Sequence, residues 1–361
     1  MKQKIFCILI VFFVLHLIVR VYSFRKNFTT PYNSHYWKER YERSQWITFM
    51  STEPIGDDGL YAYAGWEYVH GKNPVLNSPE VPPLGKYLIG LSILIFNNQN
   101  IFALLIGLCT LLVFYIHNME IFKDKFQAFL PVFLFSFEPI FFEQIKAPYL
   151  DLLQLLFLLL IFICIHRKKI VLSGVFLGCF AATKNTYLSL LVVATVSGYL
   201  LTQKDKKKLL HSSVGVLISF SIFIASYARF FMLGNSFLDF LRVQKGILIN
   251  NYFMAAKSKL GIVIPMFFTG YWFTWWDGIQ RVAEWLPTWP VLCLVLLYYI
   301  ITHKENCFLN KFSLNFIWIG LYLFFLLFVP VFPRYLLLLL PFMYNLFVWV
   351  LSKNIASRLL H

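Results

Sequence analysis

Long apolar runs separated by short polar connections recur from one end of the chain to the other. This rhythm predicts helices that cross a membrane rather than helices around one water-surfaced core. The runs 5–22, 101–116, 126–142, 150–165, 170–183, 187–201, 212–231, 287–301, 312–330 and 335–351 read as spans. Several fall short of the ~20 residues that a ~30 Å hydrocarbon core asks for, so their ends are loosely set. The further run 86–96 would make only ~17 Å of helix and is read as lying along the interface. Segment 260–276 is also apolar, but its Pro265, Gly270 and crowded aromatic residues fit an interfacial or re-entrant piece better than a span. The expectation is an all-α polytopic membrane protein of about ten transmembrane helices, one integral membrane domain over 1–361. A long first outer loop, 24–100, carries interfacial helices, and a second outer loop covers 233–286.

Charge assigns the sides. With 86–96 lying flat, the basic connections at 123–125, 166–169, 204–208, 303–311 and 353–358 all fall on the side of the N-terminus. Basic residues gathered in short loops mark the cytoplasmic side, so both long loops face away from it. The net charge of +15 is thereby accounted for by orientation and does not point to nucleic acid. Hydrophobic residues make up 59% and charged residues 14% of the chain, against ~45–50% and ~25% in soluble domains. The first run follows Lys2 and Lys4 and ends at Ser23-Phe24-Arg25-Lys26, which is no small-residue cleavage site, so it reads as a retained span. Cys7, Cys109, Cys164, Cys179 and Cys293 lie in apolar runs, Cys307 lies in a short connection, and no CxxC occurs. Neither a disulfide framework nor a zinc site is indicated.

The candidate chemistry lies where charge meets the apolar runs on the outer side. Asp57 and Asp58 open an apolar, aromatic segment in the first loop. Neighbouring carboxylates repel, which pushes one toward a higher pKa and suits it to take a proton from a hydroxyl. A solvated loop with Asp58 capping the next helix is the plainer alternative. Asp151 enters the run 152–163, where a carboxylate normally faces the bundle interior with a partner; Lys146 is the near candidate. Lys184 and Arg334 are isolated cations in apolar sequence at outer turns. Together with Lys86 and Lys146 they could clamp a phosphate, while snorkelling to lipid headgroups explains either one alone. The aromatic set Tyr271, Trp272, Phe273, Trp275, Trp276, Trp285 and Trp289 suits stacking on a sugar or an isoprenoid chain, or an ordinary interfacial belt. No nucleotide-binding motif is present, so a sugar donor would have to be lipid-linked.

The stretch from Asp57-Asp58-Gly59-Leu60-Tyr61 to Val81-Pro82-Pro83-Leu84-Gly85-Lys86 resembles the first outer loop of the GT-C glycosyltransferases. Within that class it looks most like the protein O-mannosyltransferase and aminoarabinose-transferase-like families. The likeness continues through the Asp151 region, through 174–184 ending Ala-Thr-Lys, and through Pro333-Arg334-Tyr335 with Pro341, so it covers most of the chain in order. It implies inverting transfer of a mannose-like hexose or related sugar from a polyprenyl-phosphate donor to a hydroxyl on protein, lipid or glycan. Asp57 would be the general base, with Asp58 sharing or exchanging that role. Asp151 matches a second acid, and Lys184 and Arg334 match cations for the donor phosphate. No cofactor is implied with certainty, and a divalent metal is possible. Val81 stands where the family has His, Lys146 stands near a usual Arg, and no large soluble domain is present. The competing reading is a transporter or flippase of a lipid-linked amphiphile, whose path the same charges would line. It is disfavoured because the charges gather at one face and no internal repeat is visible. A degenerate, non-catalytic relative is the third reading.

Overall fold

The computed structural model describes residues 2–48, 50–203, 206–256, 259–274, 278–302 and 311–358. Trp275, Trp276 and Asp277, the basic residues Lys204 and Lys304, and Cys307 lie outside the described residues. The described residues are mostly helical, as the apolar runs require: in lipid a backbone must satisfy its own hydrogen bonds.

Helix α1 (Lys2–Ser23) buries no residue against the rest of the protein and leaves Ile8, Val11, Leu15 and Val19 exposed, a surface suited to lipid. Segment 24–100, expected to carry helices, holds α2 (Arg25–Thr29), α3 (Ser34–Glu42), α4 (Asp57–Val69) and α5 (Pro83–Phe96). Asn33 caps α3 by accepting the Tyr36 N–H. Pro83 begins α5, where its missing N–H has no partner to lose. Helices α4 and α5 touch backbone to backbone at Gly65 and Gly90, because a Cβ on either would collide with the other helix. The 14 residues of α5 make only ~21 Å of helix, in keeping with a segment that does not cross.

The bundle follows: α6 (Asn100–Ile121), α7 (Lys125–Phe135), α8 (Pro139–Ile145), α9 (Asp151–His166), α10 (Ile170–Ala181), α11 (Leu188–Thr202), α12 (Lys206–Ala225) and α13 (Ala228–Met232). Helix α9 is buried on nearly every side, which explains why its sequence is apolar all round instead of striped. It packs against α6 and α10, while α10 meets α12 where a side chain on Gly174 would strike Gly215. Then come α14 (Phe237–Ala256), α15 (Val263–Thr269), strands β1 (Tyr271–Thr274) and β2 (Gly278–Arg281), α16 (Thr288–Thr302), α17 (Ser313–Leu326), a 3-10 turn (Pro333–Leu338) and α18 (Leu340–Arg358).

Among the described residues two helices, α1 and α6, are long and apolar enough to cross a membrane, and the bent pair α7–α8 would make a third. Seven further apolar helices of 10–17 residues lie among the described residues. Run 126–142 breaks by 75° at Ser136–Glu138 ahead of Pro139, and run 335–351 begins as a 3-10 turn. Within 233–286, α14 supplies 20 helical residues. Residues 260–274 hold the seven-residue α15, ended by Gly270 at φ 71, and β1, which pairs antiparallel with β2 so that Trp272 faces Gln280. At ~10 Å, α15 does not cross.

The break before α8 is held by a buried acid. Glu138 accepts the Trp289 indole N–H at 3.0 Å and the Tyr344 hydroxyl, joining the bend to α16 and α18. It lies inside a run that sequence reading treated as purely apolar.

Candidate active site

Four charged side chains meet at one end of the bundle. Asp57 is the first residue of α4, and Asp151 is the first residue of α9. Lys184 lies just past the C-terminal end of α10, and Arg334 stands in the 3-10 turn between α17 and α18. Helices α9 and α10 are joined at their other end by the basic turn Arg167-Lys168-Lys169, so Asp151 and Lys184 share the end away from it. Carboxylates at helix N-termini sit where the helix dipole favours negative charge.

The four form one continuous chain of ion pairs. Lys184 Nζ donates to both Asp151 oxygens, at 2.9 and 2.7 Å. Arg334 Nη2 donates to Asp57 Oδ2 at 2.7 Å, and Arg334 Nε lies 3.7 Å from Asp151 Oδ2. Side-chain exposure falls from 34% at Asp57 and 20% at Arg334 to 9% at Lys184 and 3% at Asp151, so the chain runs from a wet end to a dry one. Desolvating such ions costs several kcal/mol each unless they are paired. Burial lowers the Lys184 pKa although Asp151 opposes it. Burial also works against the Arg334 charge, but Asp57 and Asp151 outweigh it and hold its pKa above the ordinary value.

Aromatic rings wall the chain. The Arg334 guanidinium lies 4.5 Å from the Phe332 ring and 5.7 Å from that of Tyr149, and Lys184 lies 5.5 Å from Tyr335. The Tyr61 hydroxyl donates to Asp57 Oδ2 at 3.2 Å. Gln154, one turn after Asp151, is buried beneath it. These aromatic neighbours were missed in the sequence, although Tyr61 follows Asp57 by one helical turn, a spacing that places both on one face.

Other candidates stand elsewhere. Asp58 does not join the chain: burial raises its pKa, partly offset by hydrogen bonds from the Gly59 and Asp58 N–H groups. The N-cap of α4 is Gly56, not Asp58. Lys86 is fully buried and donates to the Ser78 and Val81 carbonyls, both at 2.6 Å, over the Tyr68 ring. It pins the turn ahead of α5. Val81 packs its side chain with Leu60 and Tyr61. Lys146 is not the partner of Asp151; it pairs with Glu143 at 2.6 Å, because the end of α8 turns it back along its own helix. Trp285 donates to the Phe267 carbonyl and Trp289 to Glu138, so both act as anchors, while Trp272 packs on Phe332 beside Arg334. Among the described residues no group of three or more His, Cys, Asp or Glu side chains is placed to hold a metal ion.

The architecture is a helical bundle preceded by a set of short helices, with two of its acids at one end. The chain is similar in structure to ArnT from Cupriavidus metallidurans, solved bound to undecaprenyl phosphate. The TM-score is 0.65 at 15% identity, and the match covers 94% of this chain. The chain spans 60% of the length of that protein. No family model matches the chain, and no curated protein matches it in sequence. The likeness establishes the fold, and the apolar helices make the chain an integral membrane protein.

Proposed function

We propose that this protein is an inverting glycosyltransferase that moves a sugar from a polyprenyl-phosphate carrier to an acceptor hydroxyl at the non-cytoplasmic face. The carrying observation is the ion chain from Asp57 to Lys184, two acids and two cations converging from four separated stretches of sequence. That the similar fold of ArnT was solved with undecaprenyl phosphate supports a lipid-phosphate donor. Asp57, at the wetter end, takes the proton from the acceptor hydroxyl as its oxygen forms the new bond to the anomeric carbon. The bond from that carbon to the phosphate oxygen breaks, and its electron pair leaves with the phosphate. Arg334 and Lys184 stabilise the charge developing there, as charge-assisted donors do best in a water-poor site. Asp151 holds both cations in position. A mannose-like hexose and an acceptor on protein, lipid or glycan are the substrates this reading takes from the resemblance, within a bundle of about ten membrane-crossing helices.

Purified protein in lipid nanodiscs, given a panel of radiolabelled polyprenyl-phosphate sugars and hydroxyl acceptors, tests the reading. Transfer accompanied by release of polyprenyl phosphate is expected from at least one donor. Passage of intact donor across a proteoliposome membrane without any cleavage would replace the enzyme with a flippase. Lys86→Met separates scaffold from site. Stranding two carbonyls is expected to destabilise the fold by ~1–3 kcal/mol for each. Binding of undecaprenyl phosphate to the folded fraction should stay unchanged, and melting curves beside lipid-binding titrations read the two effects.

A further inference from the structure

Arg334 is under-committed for so buried a cation. Its Nη2 makes one hydrogen bond to Asp57, while its Nε is buried with no hydrogen-bond partner and stands 3.7 Å from Asp151. A guanidinium offers five N–H donors in a flat fork suited to two oxygens of one anion. Buried donors left unpaired are uncommon and ask for a ligand. Lys184, by contrast, holds both oxygens of Asp151 in the driest part of the chain. The loosely held cation is therefore the one that touches the acid assigned as base.

We propose that the Asp57–Arg334 pair is a latch that the donor phosphate opens, so that Asp57 becomes a free base only when the donor is in place. This rests on the glycosyltransferase reading and adds an order of events to it. Asp57 Oδ2 is occupied twice, by Arg334 and by the Tyr61 hydroxyl. Oδ2 engaged in this way is not available to an incoming hydroxyl, and the latch acts on that oxygen. The two acids and two cations balance, so a phosphate adds net negative charge to the group. It draws the guanidinium into a two-pronged contact and frees Asp57 Oδ2 for the acceptor hydroxyl. Tyr149 and Phe332 give the guanidinium a surface to slide along while it remains charged. The acceptor is thereby deprotonated only beside a loaded donor. No bond is made or broken in opening the latch.

The test is carbodiimide labelling of carboxyls in the full-length protein in nanodiscs, followed by peptide mapping of Asp57. Labelling requires a protonatable carboxyl and is suppressed by an ion pair. Adding undecaprenyl phosphate is expected to raise labelling of Asp57 several-fold, and undecaprenol, which lacks the phosphate, to leave it unchanged. In Arg334→Gln the labelling should be high from the start and indifferent to the lipid phosphate. Binding of undecaprenyl phosphate is measured in parallel by native mass spectrometry. Binding with flat Asp57 labelling in the parent protein overturns the latch and leaves the donor site standing. Absence of binding overturns the glycosyltransferase reading and the latch with it. An equal rise with undecaprenol assigns the change to the isoprenoid chain and overturns the latch as well. The parent protein alone decides the matter should Arg334→Gln fail to fold.

Discussion

Asp57→Asn is expected to abolish sugar transfer while leaving the protein folded and able to bind a polyprenyl phosphate. The amide preserves the size of the side chain and an oxygen for the Tyr61 hydroxyl, but it cannot take up a proton. Loss of a positioned general base lowers rates by ~100- to 10,000-fold. The structural penalty is small, because Asp57 is a third exposed and its pair with Arg334 is a single contact. Ion pairs of that exposure are worth at most ~1 kcal/mol once solvent screening is allowed for. Single-turnover transfer of a labelled sugar, measured beside a melting curve, reads both halves of the prediction. A parental rate from Asp57→Asn would take this residue out of the chemistry.

The dry end of the chain should respond in the opposite manner. Asp151→Asn strands the Lys184 ammonium, whose side chain is only 9% exposed, without its paired carboxylate. Removing one partner of a buried pair costs ~3–5 kcal/mol, a large part of the stability of an ordinary domain. The expected result is a lower melting temperature and poor yield. Replacing both partners, as Asp151→Leu with Lys184→Met, should restore much of the stability, since apolar groups of similar volume satisfy such a cavity. The double variant should still fail to transfer sugar, having lost a phosphate donor. A melting temperature for Asp151→Asn equal to that of the parent protein would show that the pair is not desolvated in the folded state. The two variants thus separate chemistry at Asp57 from charge balance at Asp151.

Each of the four chain members was visible in the sequence as an anomaly: an acid pair ahead of an apolar helix, an acid opening another, and two lone cations in apolar surroundings. Their pairing was not visible. Lys184 is 33 residues from Asp151, and Arg334 is 277 residues from Asp57. Lys146, five positions before Asp151, was the natural guess and proved to belong to Glu143. Proximity along the chain misled there because α8 ends at Ile145, and Lys146, which caps it, reaches back three residues to Glu143. Glu138 was hidden for a related reason: in a run scored for hydropathy, one acid is outvoted, although it sits at the break and receives Trp289 and Tyr344. Helix α14 was also overlooked, despite apolar residues at Leu238, Leu241, Leu248, Ile249 and Tyr252 that recur with helical spacing.

The order of residues by itself determined that this chain would be helical and at home in lipid. A polypeptide this apolar satisfies its backbone in a membrane by helices or by a closed barrel, and its apolar runs are continuous, where barrel strands alternate. It also determined which ends of those helices carry acid. Which cation neutralises which acid was decided only in three dimensions. Pairing of desolvated charges depends on separations of a few ångströms, and those follow from how closely helices pack, as at the glycine contacts of α4 with α5 and of α10 with α12.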